Sequence, residues 1–175
     1  MIGKSDFKLN NVIKQPNIME TKKDNPGVYI PPPLFYVLVF LAAIFIQTKF
    51  PINNSIFQMQ AIKILGIVFI VIALFFLVRS LSQFLKTKNT LMTIRPASSL
   101  QTSGIYRITR NPMYTGLAII YLGITCFVGN WWNIILFPIL ILIVQEYIIR
   151  HEERYLERGF GQEYLNYKYK VRRWL

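Results

Sequence analysis

From Asn25 to Gln145 the chain carries no aspartate or glutamate, whereas Glu146, Glu152, Glu153, Glu157 and Glu163 crowd its end. A water-soluble fold of 175 residues spreads both signs of charge over its surface and rarely leaves so long a stretch without a carboxylate. A chain that passes through hydrocarbon does so readily, because a carboxylate there is costly. Composition points the same way: 53% of the residues are hydrophobic, only 16% are charged, and the net charge is +12.

Four apolar segments account for most of this stretch: Leu34–Ile46, Ile64–Val78, Met113–Val128 and Trp131–Val144. Each falls short of the ~20 residues that span a bilayer comfortably. Flanking residues must extend them, Val28 to Ile30 and Phe50 for the first, Phe57 to Leu85 for the second. Helices of soluble bundles carry a polar stripe at helical spacing, and these segments carry almost none. The expected fold is therefore all-α, a polytopic membrane protein with about four transmembrane helices. Pro138 should kink the fourth, since it lacks an amide hydrogen and clashes with the preceding turn. Residues 1–30 read as a loose cytosolic arm and 31–175 as a single membrane-embedded domain. The first apolar run starts too late for a cleaved leader peptide and lacks a small-residue cleavage site.

Lysine and arginine orient the chain. Five lie in the arm, six between Arg79 and Arg110, and seven from Arg150 onward, whereas the Gly129-Asn130-Trp131-Trp132-Asn133 link has none. The excess of positive charge on cytosolic loops places the arm, the 79–112 loop and the tail, and so both termini, on the cytosolic side. Trp131 and Trp132 mark the opposite interface. Anionic lipid headgroups suit this basic charge better than nucleic acid does, because the aromatic residues sit within apolar runs rather than alternating with Lys and Arg. Cys126 has no second cysteine to pair with and His151 is the sole histidine, so a His/Cys metal site is not expected.

Two polar blocks converge on that cytosolic face. The first runs Thr102-Ser103-Gly104-Ile105-Tyr106, then Arg110-Asn111-Pro112-Met113-Tyr114-x-Gly116. Asn111 is a favoured helix N-cap and Pro112 a favoured first helical residue, so a helix should begin here with its positive dipole end exposed, an end that suits carboxylates. The second comprises Glu152-Glu153-x-x-Leu156, Phe160-Gly161-x-x-Tyr164-x-x-Tyr167 and Val171-Arg172-Arg173-Trp174. It reads as the fourth helix leaving the membrane and ending at Gly159. Glu146, Arg150 and Glu153 or Arg154 can form a salt-bridged solvated face, as can Glu157, Arg158 and Glu163. Glu152 is better placed to hold a cationic ligand. Tyr164, Tyr167, Val171 and Trp174 recur every three or four residues, as in a short amphipathic helix on the membrane interface, with Lys168, Lys170, Arg172 and Arg173 on headgroups.

Together the two blocks resemble the isoprenylcysteine carboxyl methyltransferases and their relatives among the phospholipid N-methyltransferases, over Ser98 to Trp174. Asp24-Asn25-Pro26-Gly27-Val28 followed by Pro31-Pro32-Pro33-Leu34 looks like the start of bacterial members. The resemblance implies a membrane enzyme that takes S-adenosyl-L-methionine from the cytosol and methylates a lipophilic small-molecule or lipidated acceptor. It implies cofactor contacts from Ser98, Ser99, Leu100, Gln101, Tyr106, Asn111, Pro112, Met113, Tyr114 and Glu152, in a site built from 95–116 and 146–174; no catalytic base is assigned. A carboxylate suits an ammonium or ribose hydroxyls, and aromatic faces suit a sulfonium. The family's histidine is Asn111 here. The eukaryotic prenylcysteine enzymes place an arginine one turn before the first glutamate, where this chain has Ile148, so a carboxylate clamp of that type is not expected. The alternatives are an NADPH-dependent membrane reductase of related architecture and a non-catalytic scaffold. The first lacks an evident basic pocket for a second phosphate, and the second has no need of Glu152 near the third helix's start.

Overall fold

A computed structural model describes residues 30–86 and 99–175, and every regular element among them is a helix. Helix α1 (Pro32–Lys49) starts on the proline run, where Pro at the first position forfeits no intrahelical bond. A short 3₁₀ turn, Ser55–Gln58, leads into α2 (Gln60–Lys86). Helix α3 (Pro112–Val128) ends at Gly129, whose φ of 68° and ψ of 54° lie in the left-handed region. Glycine takes that conformation without the strain of a side chain. Asn130 then caps α4 (Trp131–Ile143), its Oδ1 accepting from the Trp132 amide at 2.9 Å.

Helix α4 continues through Pro138 and gives way at Val144–Ile149 to a π turn, closed by the Arg150 amide donating to the Gln145 carbonyl. It then runs on as α5 (Arg150–Phe160). Gly159, expected to end this helix, lies inside it. Gly161 ends it instead, at φ 51° and ψ −125°, a conformation that is essentially glycine's alone. Helix α6 (Gln162–Lys170) follows directly.

Helices α2 and α3 make the tightest pair. Gly66, Ala73 and Ser80 recur every seven residues on α2, and Gly116 and Gly123 do so on α3. A Cβ added to Gly66 would stand 2.9 Å from the Cys126 Cβ, and one on Gly116 2.9 Å from the Leu77 Cγ. Between helices in lipid there is little hydrophobic driving force, so close backbone approach at small residues supplies the contact. Helix α1 lies against α4 and α3, and Tyr36, Tyr114, Ala118, Tyr121, Leu140, Val144, Ile148 and Ile149 form the buried core between them.

Helices α1, α2 and the continuous 131–160 helix are long and apolar enough to cross a membrane, while α3, at 17 residues, is shorter. The protein is an integral membrane protein with all-helical architecture. The 30 residues from Trp131 to Phe160 extend about 45 Å, against a hydrocarbon core of ~30 Å. The surplus is about the length of the charged helix α5. At the far end the indole of Trp131 donates to the Asn53 carbonyl (3.0 Å) and that of Trp132 to the Phe50 carbonyl (2.8 Å), tying the two short links together. The antiparallel order gathers the start of α1, the end of α2, the start of α3 and α5 at the opposite end.

Candidate functional site

At that end the two polar blocks meet. Tyr114 sits on the first turn of α3 and its Oη donates to Glu152 Oε1 at 2.6 Å. The Tyr114 carbonyl in turn accepts from the Oη of Tyr36 at 3.2 Å, so α1 braces the same point. Tyr106, on a 3₁₀ turn over Gly104–Arg107, is buried. Its Oη shares a hydrogen bond with Ser80 Oγ at 3.0 Å, and its carbonyl accepts from Tyr167 Oη at 2.7 Å. Burial, joined by the nearby Glu152 charge and partly opposed by the Ser80 hydrogen bond, pushes the Tyr106 phenol up to about 12. It therefore stays protonated at neutral pH.

The Ser99–Gln101 segment lies beside this turn. Leu100 packs on the cluster of Phe76, Ile105, Tyr106, Tyr164 and Tyr167. Gln101 Nε2 donates to Ser99 Oγ at 3.0 Å, and Gln83 on α2 reaches Ser103 Oγ at 2.7 Å. Of the expected cofactor residues, Pro112 is buried and Met113 half-buried at the start of α3; Ser98 lies outside the described residues.

Glu153 faces elsewhere. Its carboxylate takes Arg173 Nε at 3.0 Å and Nη2 at 2.6 Å, with Arg110 Nη2 at 3.2 Å. This is no solvated salt bridge, since the Glu153 side chain is 7% exposed. The tail continues the lock, its Arg172 carbonyl accepting from the Arg110 amide at 2.9 Å. The Arg173 carbonyl accepts from Thr109 Oγ1 at 3.0 Å and from Asn111 Nδ2 at 2.9 Å. Asn111 thus occupies the N-cap position of α3 without capping it, because its amide is committed to the tail. Arg173, expected at lipid headgroups, ion-pairs inside the protein. Tyr164 and Tyr167 of α6, expected to face the interface, are buried on its inner side, and burial raises both phenols well above their usual range. Glu146 pairs with Arg150 on the surface, as expected, and Glu157 pairs with Lys168 of α6.

Every other acid of the 131–160 helix therefore has a cation, whereas Glu152 has a phenol. Its Oε2 has no hydrogen-bond partner among the described residues. The described residues hold no cluster of three or more His, Cys, Asp and Glu suited to a metal ion. Tyr36, Ser80 and the Arg173 lock were not foreseen. Ser80 had a signal in the sevenfold spacing of small residues on α2, whereas Tyr36 and Arg173 are joined to the site only by the packing of distant segments.

A family model described as phospholipid methyltransferase matches residues 61–163. An uncharacterized protein of Haemophilus influenzae is 47% identical over 66 residues, which cover 36% of this chain and 100% of that protein. The protein-S-isoprenylcysteine O-methyltransferase of Schizosaccharomyces pombe is 38% identical over 72 residues, 41% of this chain and 30% of that one. Protein-S-isoprenylcysteine O-methyltransferase B of Arabidopsis thaliana is 33% identical over 72 residues, again 41% of this chain, and 36% of its own length. The match thus spans only about a third of the two methyltransferases. No solved structure matches the chain.

Proposed function

The chain belongs to the phospholipid methyltransferase family, and from that premise we propose that it is a membrane methyltransferase using S-adenosyl-L-methionine on a lipophilic acceptor. The observation that carries this reading is Glu152, a carboxylate at the meeting point of the two blocks that, among the described residues, lacks the cation each neighbouring acid has. Such a group fits an ammonium or a pair of ribose hydroxyls, and Tyr114, holding Oε1, leaves Oε2 turned to that task.

The other residues fit the same ligand. Ser98, Ser99, Leu100, Gln101, Asn111, Pro112 and Met113 would line it. The amino end of α3, which no side chain caps, suits its carboxylate. The protonated Tyr106 and Tyr114 rings suit a sulfonium. Bound there, the cofactor supplies an electrophilic methyl group to an acceptor lone pair. The chain's part is to hold the donor, orient it and exclude water, from which most of the rate in such a displacement derives.

The site faces the cytosol in this reading, with both termini on that side of a bacterial inner membrane, and the acceptor arrives from the bilayer. Ile148, where prenylcysteine enzymes have an arginine, is fully buried in the core beside Tyr36 and Tyr114. A farnesylcysteine analogue should accordingly be a poor acceptor, while a membrane lipid extract should take up labelled methyl groups. Calorimetric titration in detergent with S-adenosylhomocysteine, and separately with NADPH, tests the proposal. Binding of the first alone is expected. Binding of the dinucleotide alone would make the protein a reductase, and binding of neither a scaffold.

A further inference from the structure

The segment Arg172–Trp174 touches both halves of the candidate site, and no other described segment is held by so many polar contacts to each. On one side its carbonyls accept from the Arg110 amide, Thr109 Oγ1 and Asn111 Nδ2. On the other, the Arg173 guanidinium grips Glu153 through Nε and Nη2, and the Trp174 indole donates to Gln145 Oε1 at 3.1 Å. Gln145 lies in the π turn and Glu153 four residues beyond its end, so the two grips bracket the part of the helix that sets the direction of Glu152. A π turn is a weak point in a helix, with one residue more per hydrogen-bonded ring than its neighbours. Something outside the helix must hold its rotation.

We infer that Arg173 is a positioning residue, which through Glu153 holds Glu152 against Tyr114 and thereby shapes the cofactor site. The physical case rests on burial as well as contact. Glu153 is 7% exposed and Arg110 9%, so removal of Arg173 leaves Glu153 with one monodentate partner where it had three bonds. A buried carboxylate so deprived turns toward solvent or recruits another partner. Any such turn of α5 carries Glu152, the adjacent residue, away from the Tyr114 hydroxyl. The segment lies beyond the 61–163 family match, as does Tyr36, so the site is completed by two elements outside it.

The inference rests on the proposed function for its consequence but not for its geometry, and the test separates the two. 3-Fluorotyrosine is placed at position 114 and its fluorine resonance recorded in detergent for the wild type, Glu152→Gln, Arg173→Met, Arg173→Lys and Lys170→Met. Glu152→Gln identifies the resonance of a phenol that has lost its carboxylate. Arg173→Met should move the signal toward that position and raise the Kd for S-adenosylhomocysteine at least tenfold. Arg173→Lys should recover most of both, and Lys170→Met, on the exposed end of α6, should change neither. An unmoved resonance in Arg173→Met, with unfolding shifted to lower temperature, would overturn the inference and leave Arg173 a purely structural tie. If Arg173→Met does not fold, Arg173→Lys decides, because an unmoved resonance there has the same meaning. A wild type that shows the fluorine response but binds no S-adenosylhomocysteine supports the positioning role and overturns the cofactor reading alone.

Discussion

Glu152 and Glu153 adjoin in sequence, yet one meets a phenol and the other two guanidinium groups, because successive helix positions point about 100° apart. That difference of direction separates the acid proposed to hold a ligand from one locked in an ion pair, and it yields the first prediction. Glu152→Gln should weaken S-adenosylhomocysteine binding by about 1–3 kcal/mol, the usual cost of losing a charged hydrogen-bond partner. Glu146→Gln should change it little, since its pair with Arg150 is 43% and 51% exposed and such pairs contribute ~0–1 kcal/mol. Equal losses by calorimetry would mean that the two acids have been assigned to the wrong faces. Tyr36→Phe keeps the edge-on contact with Tyr121 and deletes only the bond to the Tyr114 carbonyl. It should lower unfolding free energy in detergent by about 0.5–1.5 kcal/mol. At this scale Glu152 could be singled out in the sequence, because it falls beside the end of an apolar segment at the position where the family resemblance implies a cofactor contact. Glu153 was not, since its partners Arg110 and Arg173 lie 43 and 20 residues away (153 − 110; 173 − 153).

Among the elements, α2 and α3 depend on glycine for a different reason from α5. A Cβ on Gly123 would stand 2.9 Å from Ile70 Cγ1 and 3.2 Å from the Gly66 carbonyl oxygen, and the second of these atoms is backbone. Gly123→Ala should therefore destabilise the protein by about 1–3 kcal/mol, as overpacking does. Gly159 has nothing within 4 Å of such an atom and lies within α5. Gly159→Ala should stabilise it by about 0.5–1 kcal/mol, the helix-interior cost of glycine. Unfolding curves of the two variants check both signs, and a stabilising Gly123→Ala would mean that the helix pair is looser than described. The helices themselves could be read from hydropathy and from Pro112, Gly129 and Asn130. The π turn could not, because no residue type in Val-Gln-Glu-Tyr-Ile-Ile forbids an ordinary helix. In the fold the tail meets this turn at Gln145 and the core meets it at Ile148 and Ile149.

For the whole molecule the antiparallel order of four apolar helices leaves one end tied by tryptophans and the other rich in Lys and Arg. Sealed vesicles test the orientation proposed above. In a Cys126→Ala background, cysteine at Gln162 should react with a membrane-impermeant maleimide from the cytosolic side, and cysteine at Asn54 only from the other. Labelling of Asn54→Cys from the cytosolic side would reverse the topology. Both positions are exposed, so access rather than burial decides the outcome.

The sequence by itself determined that the chain enters a membrane, how many apolar helices it has, and that its polar chemistry collects at one end. These are properties of composition along a line, and the cost of charge in hydrocarbon leaves few alternatives. Only the tertiary structure decided that Glu153 is locked by Arg110 and Arg173 while Glu152 meets Tyr114, that Asn111 serves the tail rather than the helix it precedes, and that Tyr164 and Tyr167 face inward. Each of these turns on a partner far away in the chain. An amphipathic helix of α6's kind buries its aromatic face equally well against lipid or protein, and the docking of Arg173 on Glu153 selected protein.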